Sequence, residues 1–101
     1  MNDITVHELK ERMDKGEKLN VIDVRELFEF EEFNIGAQLI PLGELPGRIA
    51  ELEAYKNQEL IVHCRSGARS GNAKMYLMDQ GFENVRNLMG GMLAWQDQFG
   101  I

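Results

Sequence analysis

The stretch Leu60-Ile61-Val62-His63-Cys64-Arg65-Ser66-Gly67-Ala68-Arg69-Ser70 joins an apolar run to a short turn of small and basic residues. Leu60 to His63 is apolar enough to predict a strand in the middle of a sheet, covered on both faces. Helical spacing resumes at Asn72, with Ala73, Tyr76 and Leu77 at the right intervals, and Gly81 stops it. Strand, polar turn, helix is the repeating unit of a parallel sheet.

Outward from this segment the same alternation recurs. Thr5-Val6-His7-Glu8 has the Ser/Thr-x-x-Glu form of a capping box, in which the hydroxyl and the carboxylate satisfy free amides at a helix start. Val6, Leu9 and Met13 continue that helix to Gly16. Val21-Ile22-Asp23-Val24 is short and apolar, a predicted strand. Glu26 to Phe33 reads as a short amphipathic helix with Leu27, Phe30 and Phe33 inward and Glu29, Glu31 and Glu32 as a solvated face. Ala37-Gln38-Leu39-Ile40 is a strand ended by Pro41, and Pro46 opens a helix through Ile49 and Leu52. Val85 to Leu88 is a further strand, and Ile4 completes a set of five. Gly90-Gly91 leads into a last helix carrying Leu93, Trp95 and Phe99. The pattern predicts an α/β fold, a parallel sheet with helices on both faces joined by right-handed crossovers. With no linker or repeat, residues 1–101 form one domain.

Composition narrows the function. A chain of 101 residues should fold to a surface of roughly 5,800 Å² around one core, without disulfides. Its 44% hydrophobic and 28% charged residues exclude disorder. The longest purely apolar stretch, Leu60-Ile61-Val62, cannot span a bilayer, so no membrane is expected. Met1-Asn2-Asp3-Ile4 lacks a signal peptide's basic start, which makes a cytoplasmic location the expectation. A net charge of −6 with no basic cluster argues against nucleic acid, where phosphate neutralisation supplies most affinity. The single cysteine, Cys64, can form neither an intramolecular disulfide nor a zinc-finger ligand set. It is filler or a reactive thiol.

The residues around it favour reactivity. Ligands of open α/β sheets gather at the carboxyl ends of the strands, where Cys64 falls. Gly67 and Ala68 let the turn curl so that main-chain N–H groups point inward as an anion-binding nest. The following helix aims its positive end at the same spot, and Arg65 and Arg69 add two full charges. Such a cradle lowers the pKa of a thiol and makes a nucleophile beside a seat for an anion. Five polar or small residues and an arginine after the thiol make burial in an apolar core the lesser expectation for Cys64.

These motifs resemble those of the single-domain rhodaneses, thiosulfate:cyanide-type sulfurtransferases. The matching pieces are Asp23-Val24-Arg25-Glu26, Ile35-Gly36-Ala37 through Ile40-Pro41-Leu42, the Cys64–Ser70 loop, and Leu88-Met89-Gly90-Gly91 with Ala94-Trp95. The resemblance implies a rhodanese-like domain with a central five-stranded parallel sheet, and a persulfide carried on Cys64. The amides of Arg65, Ser66, Gly67, Ala68, Arg69 and Ser70 would surround its outer sulfur, with Arg65 and Arg69 helping to bind the donor. Thiosulfate is the implied donor. The implied acceptor is cyanide in the test tube and a thiol in the cell, including a protein thiol such as thioredoxin. No metal or organic cofactor is called for. Where relatives commonly carry Gly-His-Ile-Pro-Gly-Ala, this chain has Phe33-Asn34-Ile35-Gly36-Ala37, one residue shorter and without the histidine.

Two other readings compete. Phosphatases and arsenate reductases also place a cysteine in an anion-binding loop, but tyrosine phosphatase loops space Cys and Arg by five residues. Here four residues separate Cys64 from Arg69, and the narrower ring suits one sulfur atom better than a tetrahedral oxyanion. A non-catalytic binding module of the same fold would be expected to lack the cysteine. His63 adjoins Cys64 but points to the opposite face of its strand, so the two do not pair. His7 reads as solvated or capping, Asp23 and Arg25 as a structural ion pair more than as part of the site, Met75, Met78, Met89 and Met92 as packing, and Trp95 as a core anchor.

Overall fold

The computed structural model describes residues 2–100, so the two end residues of the expected 1–101 domain lie outside it. Four strands form one wholly parallel sheet in the order β2-β1-β3-β4. They are β1 (Val21–Asp23), β2 (Gln38–Leu39), β3 (Glu59–His63) and β4 (Asn84–Asn87). The expected fifth strand shrinks to a single bridge between Ile4 and Leu88. Its neighbours explain why. Asp3 offers Asn87 N–H a side-chain oxygen at 3.0 Å instead of extending the ladder. Thr5 leaves the sheet at once to cap α1 (Val6–Asp14), its hydroxyl accepting from Glu8 N–H at 3.1 Å. Glu8 does not complete the predicted capping box; its carboxylate is held by Arg86 at 2.9 and 3.1 Å.

Alternation along β3 divides the interior into two layers. Leu60, Val62 and Cys64 face α4 (Ala68–Asp79), packing with Ala73, Leu77, Leu52 and Leu45. Ile61 faces α1 and α5 (Gly91–Phe99), packing with Leu9, Met92 and Trp95. The folded surface is 5546 Å², close to the expectation for this length. Among the described residues no helix is long and apolar enough to cross a membrane.

Three helices depart from the sequence reading. The helix expected from Asn72 begins at Ala68, so Ala68, Arg69 and Ser70 are its first turn and not loop. Pro46 opens only one α-turn, α3 (Leu45–Arg48), between 3-10 segments at Leu42–Glu44 and Ile49–Tyr55. Proline has no N–H to donate and the following Gly47 favours helix poorly, so the segment never settles into a continuous α ladder. In α2 (Leu27–Glu32) the expected inward face is only partly buried: Phe30 and Phe33 are half-buried, Phe33 against the α5-side core, whereas Leu27 is 55% exposed. Of the methionines read as packing, Met75, Met78 and Met89 are exposed and Met92 is buried.

Candidate active site

Cys64 follows β3 directly, at the carboxyl end of the sheet, and is only 1% exposed within the α4-side core. The expectation that this thiol avoids burial is therefore corrected. Burial has not turned the main chain away from it. Gly67 N–H donates to Cys64 Sγ at 3.1 Å and Ser70 N–H at 3.3 Å. The Ser70 hydroxyl lies 3.3 Å from the same sulfur.

The backbone makes this possible at Gly67. Its φ of +106° is the left-handed region that side chains disfavour, and it reverses the chain so that α4 starts with its free amides aimed back at the sulfur. The first helical bond, Gly71 N–H to Gly67 O, is 3.0 Å. A second helix start closes the loop from the other side: Met92 and Leu93 N–H donate to the carbonyls of Cys64 and Arg65 at 3.0 and 2.9 Å. Gly91 permits that approach, since a Cβ there would lie 2.5 Å from Cys64 O and 2.6 Å from Arg65 O.

Desolvation alone pushes a buried thiol up. Here hydrogen bonds from the Ser70 hydroxyl and from the amides of Ser70, Gly67 and Ser66 outweigh it, and the Cys64 thiol lies below its ordinary value. The Ser70 hydroxyl has one hydrogen within reach of two acceptors, because Asn87 Oδ1 lies 2.6 Å away. Asn87 also donates from Nδ2 to Gly67 O at 3.0 Å, tying the end of β4 to the turn.

The two arginines differ. Arg65 is exposed and makes no ion pair among the described residues. Arg69 donates from both terminal nitrogens to the two oxygens of Glu29, each at 2.8 Å. Glu29 is thus no solvated face residue; the Arg69 hydrogen bonds hold its carboxyl at about 2 despite opposing desolvation. Ser66 and Ala68 are exposed, and Ser70 is buried. A cleft of about 180 Å³ beside the loop is lined by Arg25, Glu29, Glu32, Phe33, Arg65, Met92, Leu93 and Gln96. A larger cavity, about 360 Å³, lies at the starts of β1 and β2 among Leu19, Val21, Gln38 and Tyr55, and contains none of the loop residues.

On the α5 side of the sheet, Arg25 is locked onto Asp23 at 2.8–3.1 Å and onto Phe33 O at 2.7 Å. His63 is fully buried beside them, its ring nitrogens without hydrogen-bond partners among the described residues, and Asp23 Oδ2 is 3.8 Å away. Burial pushes His63 down to about 4, so the ring is neutral near pH 7. It does not meet Cys64, as strand alternation predicts. His7 lies exposed on α1 with its ring edge against Phe99. Asn34 accepts from Gly36 N–H at 2.9 Å and donates to Phe30 O at 3.0 Å, fixing the shortened turn before β2. Among the described residues no group of three or more His, Cys, Asp or Glu could hold a metal.

Sequence reading missed Glu29 and Asn87. Glu29 stands in an acidic run that gives no sign of which carboxylate meets Arg69. Asn87 precedes the Leu88-Met89-Gly90-Gly91 motif, and nothing in the chain marks its reach across to Gly67.

Residues 5–98 match the model of the rhodanese-like domain family. A sulfurtransferase of Allochromatium vinosum is 36% identical over 96 residues, covering 94% of this chain and 88% of that protein. YrkF of Bacillus subtilis (strain 168) is 40% identical over 94 residues, 92% of this chain, although the chain spans only 50% of its length. Among solved structures, the rhodanese-related protein from Thermoplasma volcanium superposes with a TM-score of 0.84 at 29% identity, covering 98% of this chain and 94% of that one.

Proposed function

The chain belongs to the rhodanese-like domain family, and from that premise we propose that it is an enzyme of sulfur transfer, working as a single domain with Cys64 as the sulfur carrier. The observation that carries the reading is the convergence of the Gly67 and Ser70 amides on Cys64 Sγ. The likeness to a named sulfurtransferase supports it.

In the first step the Cys64 thiolate attacks the outer sulfur of thiosulfate or a related donor. The S–S bond of the donor breaks, sulfite leaves with the electron pair, and a persulfide remains. In the second, a thiophilic acceptor takes the outer sulfur and the thiolate returns. Cyanide serves in the test tube. In the cytoplasm the acceptor is a thiol, with a protein thiol such as thioredoxin as one form. Oxidant, metal and organic cofactor are not needed for this exchange. The amides of Arg65 to Ser70 hold the anionic outer sulfur, and Arg65 steers the donor into the cleft it lines.

Incubation with thiosulfate and cyanide tests the reading: thiocyanate should form at a rate that Cys64→Ser abolishes. An aryl phosphate assayed in parallel should remain intact. Phosphate release without thiocyanate would assign the loop to phosphatase chemistry instead.

A further inference from the structure

Glu29 is engaged from two sides. Its oxygens fill the planar fork of Arg69 at 2.8 Å. One of them also accepts from Glu26 N–H at 3.0 Å, closing a capping box at the start of α2. Glu29 lines the cleft beside the loop, with 14% of its side chain and 34% of that of Arg69 exposed. The charge carried by Arg69 in the sequence is therefore already answered. The adjoining cleft is lined by two guanidiniums, Arg25 and Arg65, and two carboxylates, Glu29 and Glu32, so its formal charges cancel. Arg25 is further committed to buried Asp23. Glu29 is likewise committed to Arg69. A dianion arriving here therefore meets one uncommitted cation, Arg65, and one uncommitted carboxylate, Glu32, while Glu29 masks the Arg69 charge that would otherwise hold it. Exposed Leu27, Phe28 and Leu93 stand next to these groups in the chain or cleft and offer apolar contact instead.

We propose that Glu29 is a specificity-determining residue that turns the site away from dianionic sulfur donors and towards sulfane donors bearing one negative charge, namely persulfides and thiosulfonates. This rests on the sulfur-transfer reading above and narrows it. The chemistry is unchanged. With methanethiosulfonate, Cys64 sulfur bonds to the outer sulfur, the bond from that sulfur to the sulfonyl sulfur breaks, and methanesulfinate leaves with the electron pair. Thiosulfate follows the same course with sulfite leaving. The two donors differ at the reacting end by a unit of charge, which near a solvent-screened carboxylate at a protein surface is worth about threefold.

The test compares kcat/KM for thiosulfate and methanethiosulfonate, at fixed cyanide, in the unaltered protein and in Glu29→Gln. Glutamine keeps the shape and an acceptor for Arg69 while removing the charge. The thiosulfate value should rise about tenfold and the methanethiosulfonate value by about threefold or less. Should the glutamine variant not fold, Glu29→Ala must move the ratio the same way. Equal changes for both donors, no change, or a fall in the thiosulfate ratio would overturn the role of Glu29 and leave sulfur transfer standing. Turnover of neither donor by the unaltered protein would remove the sulfur-transfer reading itself, and this inference with it.

Discussion

Burial normally makes a thiol harder to ionise, so Cys64 illustrates a contest decided by a few hydrogen bonds. Two amides and a hydroxyl reach a sulfur that is otherwise enclosed by Val62 and Ala73. The amides belong to a helix start and cannot be reassigned without unwinding it, whereas the hydroxyl divides its one hydrogen between sulfur and Asn87. Removing that hydroxyl should therefore raise the thiol's pKa without abolishing reactivity. Iodoacetamide alkylation followed against pH should show the midpoint of Ser70→Ala moved upward, with the plateau rate largely kept. An unmoved midpoint would leave the amides as the whole cause. The cysteine and its neighbours were legible in the sequence because small and basic residues after a buried strand have few other uses. The burial of the sulfur was not, since the same residues that suggest exposure also pack closely when a second helix start covers them.

At the scale of elements, the site is a junction of two helix starts upon one strand end. α4 supplies donors to the sulfur, and α5 supplies donors to the carbonyls of the loop that carries it. Gly91 is where these elements touch, with φ +56° and no room for a Cβ against Cys64 O. Gly91→Ala should push the loop off α5 and cost about 2–4 kcal/mol of stability, through backbone strain and the steric conflict together. Urea unfolding measures the loss, and the variant's alkylation rate should fall alongside it; wild-type values for both would show the contact to be unimportant. Which elements form was readable wherever apolar periodicity is strong, as in β3 and α1. It failed at the start of α4, because Ala68, Arg69 and Ser70 carry no apolar period. It failed again after Pro46, because the apolar spacing of Ile49 and Leu52 does not distinguish an α-helix from a 3-10 segment whose backbone is interrupted at Pro46-Gly47.

The whole molecule couples its stability to pH through groups on both sides of the sheet. His63 is neutral when folded, with its value pushed down from 6.5 to about 4. The unfolded chain binds that proton first, so stability falls as pH drops from about 6.5 towards 4, by on the order of 3 kcal/mol. Glu29 and Glu59, held at about 2 by Arg69 and by Arg12, lose their contribution lower, as pH falls from 4.5 towards 2. Urea midpoints should decline between pH 7 and 5, and His63→Phe should flatten that decline; a flat profile in the unaltered protein would mean that the ring is charged or solvated when folded. This behaviour was invisible in the sequence, where His63 is one polar residue at the end of a strand. The parallel α/β plan was visible, because the alternation of strand and helix patterns determines it, while the loss of the fifth strand depends on Asp3 and Thr5 acting through side chains.

We propose that Cys64 takes up a single sulfur atom. Intact-mass measurement after exposure to methanethiosulfonate or thiosulfate tests it most directly. A gain of one sulfur is expected, reversed by cyanide and missing in Cys64→Ser. A mass that stays unchanged with every donor, or a gain that survives in Cys64→Ser, would contradict it.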